Sequence, residues 1–343
     1  MSQQLIFTEH PIDELHNLLG RLKPSAVLVL TDENTFHYGE MISKKLDGII
    51  CCIESGEKLK NLQSIERLWQ QWLDLGIDRH ALLINVGGGV ITDLGGFAAS
   101  CFKRGIRYVN VPTSLLGQVD AAFGGKTGCN LGGVKNSIGT FWPAEAVLFS
   151  AFYLKSLPVR ELESGKAELL KHGLIADPCL WHDASALRPG QCPNADLIQR
   201  AVQVKLEIVT RDPFEKGERQ LLNFGHSFGH AIEAASHQST FPLLHGEAII
   251  LGLGAEIELS VSGGWLNAET AILLQSKLKS LFQGIRASTS FEELLPFMKN
   301  DKKNFHGYRM VVLKQVGEAE WNKLVEEHTL RQVWNKFSAW WNS

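Results

Sequence analysis

One glutamate and two histidines, far apart along the chain, have the residue types of a catalytic metal site. Glu168, His226 and His245 each stand among small and apolar residues. A carboxylate and two imidazoles are the protein ligands of many catalytic zinc centres, which keep one coordination position for substrate or water. These three residues are therefore a candidate site for a divalent metal ion.

A second histidine near the first leaves the ligand set open. His230 follows His226 by four residues, so the two share one face of a helix. The pair could bind one metal ion together, or it could be a hydrogen-bonded pair in the core. A metallopeptidase motif is absent, because Ser227 stands where its glutamate belongs.

Glycines at the end of an apolar run indicate a nucleotide site. Gly87–Gly89 follows the strand-like run Ala81–Val86 and opens a helical segment. Such a turn lets backbone N–H groups approach a pyrophosphate at a helix N-terminus. Asp32 and Asn34 follow an earlier run and have side chains suited to a ribose. A nucleotide site beside a metal site predicts an enzyme that both oxidises and polarises its substrate.

The segment Asp120–Asn136 combines five glycines with Lys126 and Lys135, and we expect it to be a loop that binds a phosphate or carboxylate. The frame of a P-loop is absent, which argues against a nucleotide triphosphatase. Upstream of the histidines, Arg219 stands four residues before Asn223, and the two could hold an anion on one face.

The order of patterns predicts an α/β chain with two domains. Apolar runs at 26–30, 48–53, 81–86 and 107–111 alternate with helical segments, which is typical of a parallel, Rossmann-like sheet in a domain spanning 1–150. From 151 to 343 we expect a mainly α-helical domain that binds metal and substrate. Its predicted helices span 161–175, 196–211, 220–235 and 245–262, and a tryptophan-rich helix packs its rings at the C-terminus.

Composition narrows the function further. The chain has 343 residues, a net charge of -3 and a hydrophobic fraction of 44%. Mixed charge argues against a nucleic-acid or membrane-surface partner. We expect a cytoplasmic protein with reduced thiols, because its N-terminus does not resemble a signal peptide.

Taken together, these segments resemble the 3-dehydroquinate synthase family of sugar phosphate cyclases, from about residue 27 to residue 312. The resemblance is carried by Gly87–Leu94, Arg104–Gly105, Val111–Thr113, Val119–Thr127, Lys135–Asn136, Ala167–Glu168, Leu221–His230 and His245–Glu247. The chain departs from the family pattern at Ala121–Ala122, a pair that commonly contains serine, and at Pro143, which stands one position early.

The resemblance implies a role for each matching residue. Zinc, with cobalt as the alternative, is bound by Glu168, His226 and His245, while His230 and Glu215 act on protons. Substrate-binding positions are Arg104, Asp120, Lys126, Asn136, Lys205, Arg219, Asn223 and Lys302, with Lys303 as the alternative to the last. NAD-binding positions are Asp32, Asn34, Glu57, Lys60, Gly87, Gly88, Gly89, Asp93, Thr113, Ser114 and Lys135.

The implied reaction is that of a carbon–oxygen lyase in the shikimate pathway, which leads to the aromatic amino acids. It converts 3-deoxy-D-arabino-heptulosonate 7-phosphate into 3-dehydroquinate and phosphate by transient oxidation with NAD, phosphate elimination, reduction and intramolecular aldol closure. The partner is thus a small sugar acid phosphate, bound in a crevice between the domains, and the family suggests a homodimer.

Three alternatives stay open on the sequence. A related cyclase would act on another sugar phosphate, and an iron-type polyol dehydrogenase would share the two-domain plan. The lysines at 126 and 135 argue against the dehydrogenase, since a neutral alcohol needs no phosphate clamp. A non-catalytic nucleotide-binding subunit would bind NAD without zinc or turnover.

Overall fold

A computed structural model describes residues 3–132, 134–237, 239–299 and 307–343. The chain divides into two compact units, Met1–Leu157 and Pro158–Ser343. The division falls close to the predicted limit at residue 150. Each unit is described by itself below, as unit 1 and unit 2.

Unit 1 is built on a parallel sheet. Its elements are β1 (Gln4–Phe7), α1 (Pro11–Leu22), β2 (Val27–Asp32), α2 (Phe36–Leu46), β3 (Ile49–Ile53), α3 (Leu62–Asp74), β4 (Leu82–Gly87), α4 (Gly89–Cys101), β5 (Arg107–Pro112), β6 (Lys126–Leu131), β7 (Val134–Phe141) and β8 (Ala146–Phe149). Six strands form the sheet in the order β1-β8-β5-β4-β2-β3, and every neighbouring pair is parallel.

The apolar runs identify the central strands because both faces of the sheet are covered. Every residue of β4 is buried, and Leu28, Val29 and Leu30 of β2 are fully buried. Such strands read as continuous hydrophobic runs rather than alternating ones. The predicted parallel sheet is confirmed, although the short strands β1 and β8 on one side of the sheet were not predicted.

The predicted loop at 120–136 is wrong. A π-helical turn ends at Ala121, and β6 and β7 then form an antiparallel hairpin in which Lys126 pairs with Phe141. Glycine has a packing reason where the two strands face each other. A Cβ on Gly139 would stand 2.1 Å from the Thr127 carbonyl oxygen, so the two strands require glycine to approach this closely.

Unit 2 is mainly helical, as predicted. Its elements are α5 (Val159–Ala176), α6 (Pro178–Ser185), α7 (Ala195–Arg211), α8 (His226–Ser236), α9 (His245–Ser262), α10 (Ala268–Leu281), α11 (Phe291–Lys299), β9 (Tyr308–Gln315), β10 (Glu318–Val325) and α12 (Glu327–Asn342). The antiparallel hairpin β9–β10 is an addition that the helical pattern did not predict.

The predicted continuous helix at 220–235 is wrong. A 3₁₀ turn, Glu218–Asn223, precedes α8, and the chain reverses at Gly225 with a φ of 80°. That left-handed conformation suits glycine and interrupts the helix. His226 consequently becomes the first residue of α8 rather than a mid-helix residue.

The terminal helix packs its aromatic rings on unit 2, as expected. Trp334 and Trp341 of α12 are buried, and their indole N–H groups donate to the carbonyls of Thr289 and Ile285. Among the described residues, no helix combines the length and apolar character needed to cross a membrane.

Candidate metal centre and nucleotide site

The carboxylate of Glu168 lies deep inside unit 2. It projects from α5, which is buried on nearly all sides from Leu162 to Ile175, and its side chain is fully buried. Lys171, one turn later on the same helix, is also buried and forms an ion pair with Glu168. A buried carboxylate requires compensating charge or hydrogen bonds, and the lysine supplies part of it.

Two histidines from different helices converge on this carboxylate. Glu168 Oε1 lies 3.6 Å from His226 Nε2 and 3.5 Å from His245 Nε2. His226 begins α8 and His245 begins α9, so the ends of two helices meet the middle of α5. The structure therefore brings together the three residues predicted as metal ligands.

The remaining ring nitrogens are held by hydrogen bonds. His226 Nδ1 lies 3.1 Å from the carbonyl oxygen of Phe224, and His245 Nδ1 lies 3.2 Å from Glu233 Oε2. A carbonyl or carboxylate acceptor fixes Nδ1 as the protonated nitrogen in a neutral ring and leaves the Nε2 lone pair for a metal. Both Nε2 atoms are the ones near Glu168.

The pKa values of the two histidines are shifted in opposite directions. Burial, with the nearby charge of Lys171, holds the pKa of His226 well below its ordinary value. Burial also favours neutral His245, but hydrogen bonds to Glu168 and Glu233 outweigh it and raise the pKa of His245 to about 9. At neutral pH His226 is therefore ready to bind a cation, whereas His245 must first lose a proton.

His230 completes a cluster of three histidines at this site. One ligand nitrogen from each of His226, His230 and His245 lies within 4.8 Å of the others. The ring centroid of His230 lies 5.0 Å from that of His226 and 5.8 Å from that of His245. Unlike its neighbours, His230 is exposed, so it can exchange protons with a bound molecule or with solvent.

The other predicted residues of unit 2 lie around the turn that precedes α8. Asn223 Nδ2 donates to Glu215 Oε1 at 2.6 Å, and Glu215 has a φ of 58°. Arg219 is buried and donates from Nη1 to the carbonyl of Pro213 at 2.6 Å. Lys205 on α7 is buried too.

In unit 1, the predicted nucleotide residues follow the carboxyl ends of adjacent strands. Asp32 ends β2, Gly87 ends β4, and Thr113 follows β5. The Thr113 N–H donates to the Gly87 carbonyl at 3.0 Å, and this hydrogen bond joins the ends of β4 and β5. Ligands of open parallel sheets bind outside these strand ends.

A buried lysine links several predicted residues of unit 1. Lys60 Nζ lies 2.6 Å from both Asp93 Oδ2 and Asn136 Oδ1. Burial alone would lower the pKa of Lys60, but the charges of Asp93 and Glu57 raise it above its ordinary value. Lys135 Nζ lies 4.0 Å from Glu57, so this network spans predicted cofactor and substrate positions.

The other predicted residues are placed as follows. Gly88 and Gly89 begin α4, Ser114 accepts a hydrogen bond from Gly117, Asn34 and Arg104 are exposed, Asp120 lies in the π-helical turn and Lys126 begins β6. Lys302 and its alternative Lys303 lie outside the described residues.

Sequence reasoning missed three charged residues of the candidate metal centre. Lys171 pairs with Glu168, Glu233 holds His245, and Glu256 accepts from the backbone beside His226. A weak signal was present for Glu233 alone, which is the one acidic or basic residue besides histidine in α8. Local spacing does not tell which helix each one faces.

Solved structures resemble the chain over nearly its whole length. A 2-deoxy-scyllo-inosose synthase complexed with carbaglucose-6-phosphate, NAD⁺ and Co²⁺ matches with a TM-score of 0.85, 23% identity and coverage of 97% of this chain and 96% of that one. A 2-epi-5-epi-valiolone synthase from Streptomyces hygroscopicus subsp. jinggangensis, with NAD⁺ and Zn²⁺ bound, matches with a TM-score of 0.82, 25% identity and coverage of 99% and 97%. The fold is that of the sugar phosphate cyclases.

Family and sequence comparisons are more specific. The models of the 3-dehydroquinate synthase N-terminal and C-terminal domains match residues 50–164 and 165–304. A 3-dehydroquinate synthase of Parabacteroides distasonis is 35% identical over 339 residues, which cover 96% of each chain. The chain belongs to the 3-dehydroquinate synthase family, whose curated members support a cyclase function in the shikimate pathway. The predicted family and cyclase reaction are thereby confirmed, and the predicted cofactors are the groups bound in the two structural neighbours.

Proposed function

We propose that Glu168, His226 and His245 hold the metal ion of the 3-dehydroquinate synthase reaction in this chain. The observation that carries the proposal is the pair of distances from Glu168 Oε1 to the two Nε2 atoms, 3.6 and 3.5 Å. Ligands about 2.1 Å from a tetrahedral zinc ion stand roughly 3.4 Å from one another. The two distances from Glu168 thus match those between ligands of one zinc ion.

The metal and the cofactor supply chemistry that the side chains lack. When bound, a zinc ion lowers the pKa of a substrate hydroxyl, and NAD accepts a hydride and later returns it. We assign NAD to the strand ends of unit 1 and to the Lys60 network. The residues of that assignment are Asp32, Asn34, Glu57, Lys60, Gly87, Gly88, Gly89, Asp93, Thr113, Ser114 and Lys135.

Two residues of unit 2 are assigned to proton transfer. His230 is exposed beside both proposed histidine ligands, which suits a group that takes a proton from the substrate and returns it. Glu215 is held by the amide of Asn223 at 2.6 Å. That hydrogen bond orients the carboxylate so that a second proton can be accepted at a defined atom.

The remaining assigned residues anchor the substrate. A sugar acid phosphate carries a carboxylate and a phosphate, which cationic and amide side chains bind with directional hydrogen bonds. Holding both ends fixes the chain of the substrate for elimination and ring closure. The assigned anchors are Arg104, Lys126, Asn136, Lys205, Arg219, Asn223 and Lys302, while Asp120 is assigned to accept hydrogen bonds from the sugar hydroxyls. A homodimer and a cytoplasmic location complete the proposal.

The test combines metal removal with two matched histidine variants. Treatment with a strong chelator should abolish phosphate release from 3-deoxy-D-arabino-heptulosonate 7-phosphate in the presence of catalytic NAD, and zinc should restore it. His245→Ala should lose zinc as well as activity. His230→Ala should keep zinc and lose most of the rate, because a general base contributes about 10²–10⁴-fold.

Each other outcome has a defined meaning. Full activity of the metal-free protein would overturn the metal assignment. Loss of zinc from His230→Ala would make all three histidines ligands. Accumulation of NADH without phosphate release would favour the dehydrogenase alternative, since the cyclase reaction regenerates its NAD.

A further inference from the structure

Helices α8 and α9 each have a buried glutamate that contacts the other helix at the metal centre. Glu233 belongs to α8 and reaches the ring of His245 on α9. Glu256 belongs to α9 and reaches the backbone on both sides of His226 at the start of α8. Each helix therefore presents one histidine to Glu168 and supports the histidine of the other helix.

Glu233 acts on a ring directly. Its Oε2 lies 3.2 Å from His245 Nδ1, and its side chain is 5% exposed. His245 Nε2, on the opposite side of the same ring, lies 3.5 Å from Glu168. An imidazole held at Nδ1 has one orientation left for Nε2, and the negative charge of the acceptor makes that nitrogen a stronger donor to a metal.

Glu256 acts through the main chain. Its Oε2 accepts from the Gly225 N–H at 2.8 Å, and its Oε1 accepts from the Ser227 N–H at 3.2 Å. These groups flank His226, and the N-terminus of α8 carries N–H donors that lack partners within the helix. The fully buried carboxylate thus fixes the turn from which the His226 ring projects.

The close approach of the two helices allows each glutamate to reach the neighbouring helix. A Cβ on Gly252 of α9 would stand 1.9 Å from the Gly225 carbonyl oxygen, so the backbones nearly touch at the start of α8. At this separation a glutamate of one helix spans the gap to the other. Small displacements of either helix would therefore change both carboxylate contacts together.

We propose that Glu233 and Glu256 are reciprocal positioning residues, which pre-set the two histidines for the metal ion before it binds. The proposal rests on the assignment of Glu168, His226 and His245 as ligands. Neither glutamate is assigned to touch the substrate or the metal. The expected consequence is a loss of metal affinity, and not only of turnover, when either carboxylate is removed.

Glu233 is tested by the variants Glu233→Gln and Glu233→Leu. The amide keeps an acceptor but loses the charge, so zinc affinity should fall about tenfold, and the leucine variant should fall about a hundredfold. Affinity is measured on the metal-free full chain by competition with a chromophoric chelator. The visible spectrum of the Co²⁺-loaded protein should change as well, because the ring is free to tilt.

Glu256 is tested by Glu256→Gln, which leaves one acceptor oxygen for two N–H donors. Zinc affinity should fall about tenfold, and unlike Glu233→Gln the metal-free protein should also lose thermal stability, because a helix cap is lost. The control is Glu258→Gln, a buried glutamate on the same helix that pairs with Lys336 instead. Its zinc affinity and Co²⁺ spectrum should match the wild type.

The outcomes separate this proposal from the ligand assignment. If His245→Ala binds zinc as tightly as the wild type, the ligand assignment fails. If His245→Ala loses zinc while both Glu233 variants and Glu256→Gln retain wild-type affinity and spectrum, the ligands stand and the positioning roles are overturned. Equal losses in Glu258→Gln would likewise overturn them, because any buried glutamate would then have the same effect.

Discussion

The two units bury charge to very different extents. Among the described residues of unit 1, Lys60 is the one lysine, arginine, aspartate or glutamate that lies buried. Unit 2 buries nine such residues in the part that is described. They are Lys166, Glu168, Lys171, Lys205, Arg219, Glu233, Glu247, Glu256 and Glu258.

This difference follows from what each unit is proposed to bind. A dinucleotide can be held by backbone N–H groups and short side chains at strand ends, which leaves the apolar sheet intact. The metal ion proposed for unit 2 needs charged ligands that are already in place. Burying those ligands costs solvation free energy, which good geometry must offset. Unit 2 should therefore respond more strongly than unit 1 to the loss of one charge.

The largest effect is expected from Glu168→Leu. Zinc is lost with its carboxylate ligand, and activity should fall by at least about 10³-fold, since the metal contributes several kcal/mol. The metal-free protein should also be destabilised by about 3 kcal/mol, because the Lys171 ammonium stays buried without its carboxylate partner. Phosphate release and the midpoint of urea unfolding measure the two effects.

The double variant Glu168→Leu/Lys171→Met separates those effects. Replacing both members of a buried ion pair with apolar residues is often nearly neutral for stability. The double variant should therefore recover most of the lost stability and none of the activity. If it is as unstable as the single variant, the ion pair does not explain the loss.

A smaller effect is expected from pH, again confined to unit 2. In the metal-free protein His245 is protonated below its pKa of about 9, whereas the lowered pKa keeps His226 neutral. Zinc must displace the proton of His245, so its apparent affinity should rise by about tenfold per pH unit from about pH 6 to about pH 8. Calorimetry in buffers of different ionisation enthalpy should show about one proton released per zinc ion. Release of two protons, or of none, would contradict this assignment of charge.

The sequence predicted the parallel sheet and the long helices because their patterns are local. Continuous apolar runs define β2, β4 and β5, and the predicted helix at 245–262 has the bounds of α9. The three proposed metal ligands were also predicted, since a carboxylate and two imidazoles are a common ligand set of catalytic zinc. The chemistry of these residues, and not their spacing along the chain, indicated the metal site.

The features that the sequence did not predict depend on contacts between distant segments. The glycines of β6 and β7 resemble a flexible loop until the two strands are seen to pack against each other. Similarly, Glu233 and Glu256 look like ordinary helix residues, because nothing local states that each faces the neighbouring helix. The break at Gly225 depends on the same close approach of α8 and α9.

The smallest effect is expected from Lys60→Met in unit 1. Asp93 and Asn136 would lose their shared donor, but the side chain of Asp93 is 18% exposed and water can replace part of the interaction. Affinity for NAD should fall about tenfold, the amount of one charged hydrogen bond, while zinc affinity stays unchanged.

The matched control for that change is Lys58→Met, because Lys58 is exposed in the same 3₁₀ turn as Glu57. It should leave NAD affinity unaltered in a fluorescence titration. Two results would show that the two units do not respond to charge independently. One is a loss of activity in Lys60→Met as large as that in Glu168→Leu, and the other is a fall in the zinc affinity of Lys60→Met. A loss limited to NAD binding would instead support the assignment of Lys60 to the NAD site of unit 1.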